Sequence, residues 1–300
     1  MTKALVIGSK GNVGAPLSRH LRAQGYEVLE VDWRPDWREG YMLADINQPL
    51  DLLPAFDWKP DVVFALAAMV SRVTCEQASG LAVDTNLSGL NNILQLCKRV
   101  DARCVVFSTS EVYGPECNPM DESLSDPQPN NRYGLTKLIS EELVKYEVRT
   151  HGLKASILRP FMFYDEEEDF GDHRSALIRF AWRLAQGLPI EVHQGSARGW
   201  CHISDALKAI EAASQVTDGT IINVGNPEII DTADLAELVR GHLDADPALI
   251  NVKPLPARMT LVKVPTLERQ RDILGVVPQV SIKEGVNRVC DRTLARLADQ

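Results

Sequence analysis

Through the first half of the chain, short β-branched runs alternate with longer segments whose apolar positions recur at helical spacing. Residues 4–7, 27–31, 61–65, 104–107 and 155–158 read as buried strands. Between them, 14–24, 81–99 and 133–150 read as helices, the second with Leu87, Leu90, Ile93, Leu94 and Cys97 at helical spacing. Alternation of this kind predicts βαβ units with right-handed connections and a doubly wound parallel sheet.

The rhythm changes after Arg159-Pro160. Five acidic residues, 165–169, precede a helix-like stretch at 175–186 and Gly187-Leu188-Pro189. A strand at 220–224 and a helix at 231–242 follow, then a proline-rich segment from 247 to 265. Neither an internal repeat nor a low-complexity tract is visible. The expected division is a larger α/β domain over 1–164, to which 196–226 returns, and a smaller lobe built from 165–195 and 227–300.

Composition narrows the class. The chain has 300 residues, 45% of them hydrophobic and 24% charged, which suits a globular protein with an ample core. A net charge of −9 argues against nucleic acid as a partner, because neutralising phosphates needs a basic surface. The six cysteines show no metal-ligand spacing and read as reduced structural thiols. The first apolar run breaks at Gly8, and the longest, 62–70, is about half of what a membrane helix needs. A soluble cytoplasmic protein without a membrane partner is expected. His20, His151, His173, His193 and His242 show no ligand spacing, so no metal is expected, and His202 is expected to be packed.

Chemistry enters first at Gly8-Ser9-Lys10-Gly11-Asn12-Val13-Gly14, between the first strand and the first helix. Glycines there let the backbone approach a pyrophosphate, and the helix N-terminus supplies unpaired N–H groups with partial positive charge. Asp32, at the end of the next strand, is placed to accept from a ribose 2′-OH. Its charge opposes the 2′-phosphate of NADP and favours NAD, while Arg34 acts in the other direction. These features predict a Rossmann-type dinucleotide-binding fold.

The second motif is Tyr133-Gly134-Leu135-Thr136-Lys137, whose ends share a helix face at i and i+4. A free phenol titrates at about 10. A nearby ammonium favours the phenolate and lowers that value by roughly one to three units. The spacing alone carries little weight. It gains weight from Ser108-Thr109-Ser110-Glu111, which follows a predicted parallel strand, at the end of the sheet where α/β proteins bind ligands. A hydroxyl there can hold a substrate oxygen while Tyr133 moves its proton.

On these residues the chain resembles the extended short-chain dehydrogenase/reductases, specifically the NAD-dependent epimerase/dehydratase family that acts on nucleotide sugars. The resemblance runs from residue 3 to about 290. Gly8, Gly11 and Gly14 fit that family's glycine motif, with Asn12 and Val13 inside it. Asp32 fits its ribose acid, and Asp45-Ile46 its adenine segment. Ala65-Leu66-Ala67-Ala68 resembles its fourth-strand cofactor motif, usually written with histidine first. Asn86 fits its structural asparagine near the cofactor, and Ser108 borders the same site. Thr109, Tyr133 and Lys137 fit the catalytic triad, with Ser110 beside them. Arg198 resembles the arginine that binds a substrate diphosphate, and Met162 stands where the family usually has a substrate-contacting asparagine.

The resemblance therefore implies bound NAD, a nucleotide-sugar substrate and transient oxidation of a sugar hydroxyl at C4. Epimerisation, dehydration or decarboxylation would follow. The segment 108–114 is closest to the versions in 4,6-dehydratases and glucuronate decarboxylases, in which the acid at the position of Glu111 works on the sugar. A C4 ketone acidifies the C5–H, which a carboxylate can remove. The bland alternative for Glu111 is a solvated or helix-capping carboxylate. The acidic run at 165–169 is either a solvated face or a pocket wall that would repel a diphosphate. A second arginine of the family is not clearly present, with Lys263, Arg269 and Arg271 as loose candidates. Trp33, Trp37 and Trp58 read as packing residues or a lid near adenosine.

Met162 and the acidic run keep a second reading open, an NAD-dependent dehydrogenase or reductase on a non-nucleotide substrate. A protein that senses NAD without catalysis is a third, opposed by the intact Thr109, Tyr133 and Lys137. The family also implies a homodimer, paired through 81–99 and 133–150.

Overall fold

The structure, a computed structural model, describes residues 1–171, 175–193, 195–254 and 260–299. The first six strands are β1 (Lys3–Ile7), β2 (Glu27–Asp32), β3 (Tyr41–Leu43), β4 (Val62–Ala65), β5 (Arg103–Phe107) and β6 (Ala155–Pro160). All pair in parallel, with β1 between β2 and β4. Parallel strands covered on both faces read as continuous apolar runs, which is why these segments stand out in the sequence. Leu5 and Ile7 enter one core layer, with Val63, Ala65, Cys104 and Val106. Ala4 and Val6 enter the other, with Val62, Phe64, Val105 and Phe107. Each fully buried Leu, Ile or Phe contributes about 1.5–3 kcal/mol.

The helices between these strands are α1 (Gly14–Ala23), α2 (Pro49–Asp57), α3 (Arg72–Gln77), α4 (Ser79–Val83), α5 (Leu90–Val100) and α6 (Arg132–His151). The helix expected over 81–99 is not uniform. A π-helical turn, Asp84–Gly89, separates α4 from α5. Its wider winding occurs where Gly89 lies against Ile46, and a Cβ on Gly89 would meet that side chain at 2.6 Å. Asn131 caps α6 by accepting from the Gly134 N–H at 2.9 Å. Gly152, with φ +68°, ends it.

Beyond β6 come β7 (Phe163–Tyr164), α7 (Ala176–Ala185), β8 (Ile190–His193), β9 (Ala197–Gly199), β10 (Cys201–His202), α8 (Ile203–Ala213) and β11 (Asp218–Val224). Then follow β12 (Ile229–Asp231), α9 (Thr232–Leu243), β13 (Ile250–Lys253), β14 (Val262–Lys263), α10 (Glu268–Asp272) and α11 (Ile282–Ala298). Strand β11 completes a seven-stranded sheet ordered β11-β6-β5-β4-β1-β2-β3. Helix α8 packs Ala206, Leu207, Ala209 and Ile210 onto the same layer as Ala4 and Val6. A separate core gathers residues of α7, α9 and α11 around Tyr164 and Trp200. Three small sheets, β10-β7, β12-β9-β14 and β13-β8, carry these elements past the carboxyl ends of the large sheet. No helix among the described residues is long and apolar enough to cross a membrane. All six cysteines are free, and all but Cys117 are buried.

Candidate active site

The glycine turn is built by backbone crowding. Gly8 has φ +92°, in the left-handed region, and a Cβ there would meet the Ala67 nitrogen at 2.7 Å. A Cβ on Gly14 would meet the Gly8 carbonyl at 2.2 Å. Helix α1 then starts without a side-chain cap, and the partial positive charge of its N-terminus adjoins the cleft beside Gly11, Asn12 and Gly14. Asp32 is buried. Its carboxylate accepts from the Lys10 N–H at 2.9 Å, the Arg34 N–H at 3.1 Å and Arg34 Nε at 3.2 Å. Arg34 is thus paired with the very carboxylate whose preference it was expected to offset.

A cleft of ≈ 810 Å³ runs from Asp32, Asp45 and Ile46 past Gly8, Gly11, Asn12, Val13 and Gly14. It continues over Leu66, Ala67 and Ala68 to Ser108, Tyr133 and Lys137. Every residue expected to hold the cofactor lines it except Asn86. That side chain is turned to scaffolding: its Oδ1 accepts from Met69 N–H at 2.8 Å, and its Nδ2 donates to Thr136 Oγ1 at 2.9 Å. It ties the loop after β4 to α6. The volume, the uncapped helix start and the buried acid at the far end together suit a dinucleotide.

At the near end, Tyr133 and Lys137 lie one turn apart on α6. Close approach of that helix to the turn after β5 depends on Gly134, where a Cβ would meet the Glu111 carbonyl at 2.7 Å. The Thr109 hydroxyl accepts from the Glu111 N–H at 3.2 Å and acts on the Tyr133 phenol from beside it. Burial raises the Tyr133 phenol above its ordinary value, against the pull of Thr109. The depression expected from Tyr-x-x-x-Lys spacing is therefore not produced by the protein's own groups, because desolvation of the phenolate outweighs Thr109 and the Glu111 carboxylate adds to it. Lys137 is lowered to about 8 by burial, with Glu141 opposing.

Glu141 is a site residue that spacing did not reveal, although it continues the Tyr133, Lys137 face by one more turn. Its carboxylate accepts from Arg159 Nε at 2.8 Å and Nη2 at 2.6 Å, and from the Ser108 hydroxyl. Arg159 in turn lies 4.6 Å from the Tyr113 ring centroid. A buried ion pair thus backs both the cleft wall and the catalytic helix.

Glu111 is neither solvated nor a cap. It is ion-paired with Lys263, accepts from Asn131 Nδ2 at 2.9 Å and lies 4.0 Å from Arg72. Burial alone would raise its carboxyl, but Lys263, with Arg72 and Asn131, holds it below the ordinary carboxylate range. Lys263 also reaches the Ser110 hydroxyl at 3.4 Å. Of the three loose cationic candidates only Lys263 arrives here. Arg269 donates to the Ile221 carbonyl, and Arg271 pairs with its neighbour Asp272.

Arg198 stands opposite Lys263 in the β9–β14 register. It is buried, and its guanidinium donates to the carbonyls of Ala197 (2.9 Å), Leu261 (2.7 Å) and Thr260 (2.6 Å), outside the cleft lining. Burial lowers it to about 10, with Glu111 acting against that. Met162 packs against the core of α7, α9 and α11 and does not line the cleft.

The acidic run is only partly solvated, with Glu167 and Asp169 exposed and the rest turned inward. Glu166 pairs with the buried His202 at 2.7 Å, Glu168 is bonded to Asn12, and Asp169 lines the cleft. Trp33 lines the cleft and is 73% exposed, whereas Trp37 is fully exposed. Trp58 lies under Lys3 instead, away from the cleft. His20 and His242 pair with Glu211 and Asp291; His173 lies outside the described residues. Among the described residues no group of three or more side chains could hold a metal ion.

The geometry has close counterparts. UDP-glucuronic acid decarboxylase 3 of Arabidopsis thaliana is 29% identical over 304 residues, covering 95% of this chain and 86% of its own. UDP-N-acetyl-alpha-D-glucosaminuronate decarboxylase of Bacillus cytotoxicus is 25% identical, covering 95% of each. Thermus thermophilus UDP-glucose 4-epimerase, solved in complex with NAD, superposes with a TM-score of 0.87 at 25% identity, covering 97% of this chain and 99% of that one. The Thermotoga maritima UDP-glucose 4-epimerase shares the fold over the full length of both chains, with a TM-score of 0.91 at 22% identity. The model of the NAD dependent epimerase/dehydratase family matches residues 4–225, from the first strand to the last strand of the sheet. The chain belongs to that family of NAD-dependent enzymes.

Proposed function

We propose that this enzyme oxidises the C4 hydroxyl of a nucleotide-linked hexose and then carries out chemistry at C5. The observation that carries the reading is Glu111, held as a carboxylate by Lys263 and adjoining the Thr109, Tyr133 and Lys137 set. A simple C4 epimerisation needs no such group. Thr109 holds the C4 oxygen and Tyr133 takes its proton, while Lys137 balances the phenolate. NAD, held along the cleft by the glycine turn and Asp32, would supply the hydride acceptor and donor. The C4 ketone then acidifies C5, where Glu111 removes a proton, or, with a uronic acid, activates loss of the C6 carboxylate. Arg72 and Lys263 favour an anionic C6 group by their charge, in keeping with the names of the decarboxylase relatives.

Incubation with NAD and a panel of UDP-glucuronic acid, UDP-glucose and dTDP-glucose tests this. Mass spectrometry should find loss of carbon dioxide or water from one of them, without lasting NADH, and Tyr133→Phe should abolish it. Turnover of none, or product from an unchanged Tyr133→Phe, would sink the reading. The second reading, net oxidation of a non-nucleotide substrate, is favoured by Arg198, whose guanidinium is committed to three carbonyls. It predicts an absorbance at the NADH band that persists.

A homodimer fits the outward face of α6, where Leu135, Ile139 and Tyr146 are exposed. Light scattering should give twice the chain mass. The buried free thiols suit a reducing compartment such as the cytoplasm.

A further inference from the structure

The acidic run has no part in the chemistry above, yet it is folded onto the glycine turn. Asn12 Nδ2 donates to Glu168 Oε1 at 2.7 Å, which joins two residues 156 positions apart at the wall of the cofactor cleft. Glu168 is buried, and both Asn12 and Asp169 line that cleft. The run is anchored from behind at several points. Glu166 meets His202 at 2.7 Å, and that ring is fixed by Ser204 at 2.8 Å. Glu167 accepts from Arg292 of α11 at 2.9 Å. One turn on, Arg296 donates to the Glu168 carbonyl at 2.8 Å and stacks 4.1 Å from the Phe170 ring centroid. Five consecutive acidic residues repel one another and would ordinarily stay in solvent. Here they are held by cations of the C-terminal helix and delivered to the one turn that receives a pyrophosphate.

We propose that residues 165–170 form a cofactor-retaining clasp, in which Glu168 and Asn12 are the positioning residues that close the strap over the glycine turn. The inference rests on NAD binding by the family and is independent of which sugar is turned over. The Asn12–Glu168 hydrogen bond involves a charged acceptor, the stronger class of such bonds. A diphosphate leaving or entering past the turn must part it and pass the carboxylates behind it. An enzyme that returns its hydride within each cycle gains from this, because it has no need to exchange NAD.

The test is the rate at which NAD leaves the loaded protein, followed by displacement with excess NADH and its fluorescence. Glu168→Ala should release NAD about tenfold faster, the scale of one charge-assisted hydrogen bond. Asn12→Ala should also be faster, and the double variant no faster than the Asn12→Ala single. Glu168→Gln keeps an acceptor oxygen without its charge and should release NAD at a rate between the parent and Glu168→Ala. The melting temperature of each variant without NAD separates loss of the clasp from loss of the fold. Should Glu168→Ala fold poorly, Arg296→Met loosens the strap from behind and should speed release in the same way. Unchanged release in the folded Glu168→Ala or Arg296→Met protein overturns the proposal. So does an equal acceleration by Glu168→Ala whether or not Asn12 is present.

Discussion

Lys263, on the short strand β14, reaches across the site to ion-pair with Glu111 at the carboxyl end of β5, 152 positions away in sequence. The pair fixes the protonation state of a carboxylate that adjoins Thr109 and Tyr133. With burial pushing the Glu111 carboxyl up and Lys263 pulling it further down, Glu111 is held as a carboxylate, the form that the proposed base requires. Lys263→Met removes the stronger opposing influence, so the Glu111 pKa should rise. The acid limb of kcat/KM should then move to higher pH by about one unit or more, since activity is lost as pH falls through that pKa. Lys263→Arg should restore the parent profile in large part. A Lys263→Met enzyme with an unmoved acid limb and only a higher KM would assign Lys263 to substrate binding instead.

Lys137 makes the catalytic helix less stable than it could be. Its ammonium is buried and lowered to about 8 in the folded protein, against 10.5 for the ordinary side chain. Between those two pH values the unfolded chain binds more protons, so this residue's contribution to stability rises with pH across the window. Below about pH 8 the full desolvation cost is present. Lys137→Met should therefore stabilise the NAD-free protein at pH 7 by on the order of 2–3 kcal/mol while destroying activity. The difference should close as pH approaches the ordinary lysine value. Urea denaturation at several pH values checks it, and a variant less stable than the parent at pH 7 would contradict it.

The Glu141–Arg159 pair is almost wholly buried, with side-chain exposures of 1% and 2%. Removing one partner leaves an uncompensated charge in the core. Glu141→Ala should cost about 3–5 kcal/mol by chemical denaturation, well above the effect of breaking an exposed pair such as Lys154–Asp101. A loss below about 1 kcal/mol would mean that Arg159 finds another partner.

Gly14→Ala places a methyl group 2.2 Å from the Gly8 carbonyl, and backbone on both sides leaves little room to yield. Helix α1 must shift, which takes its first N–H groups away from the glycine turn. NAD affinity should fall about tenfold or more, measured by calorimetry, an effect of ~1.4 kcal/mol. Gly241→Ala, on α9 with open space around it and no left-handed backbone, changes a glycine without touching the site. Its NAD affinity should stay that of the parent.

The large sheet was legible because parallel strands buried on both faces announce themselves as apolar runs. The cofactor cleft was legible because Gly8, Gly14 and Asp32 answer to backbone geometry and charge at fixed positions along one βαβ unit. Helix α11 was within reach as well, since Ser281 and Glu284 have the spacing of a capping box, and the Ser281 hydroxyl accepts from the Glu284 N–H at 3.2 Å. Helix α8 offered less, because it is capped by His202, an unusual residue for that role. Lys263 and Arg72 could not be assigned from spacing, as their meeting with Glu111 depends on the path of long connections. The acidic run was misleading for a related reason: five like charges read as solvent-seeking until Arg292, Arg296 and His202 are brought against them from elsewhere.

Trp33 follows directly on the buried Asp32 and stands largely exposed at the rim of the cleft. Indole emission overlaps the absorption band of reduced nicotinamide but not that of the oxidised ring. The chain thus carries its own optical reporter. Excitation of the tryptophans in the loaded protein should give transferred emission only while the hydride resides on the cofactor, and Trp33→Phe should weaken that signal. The reduced intermediate could then be timed within a single turnover without any attached dye.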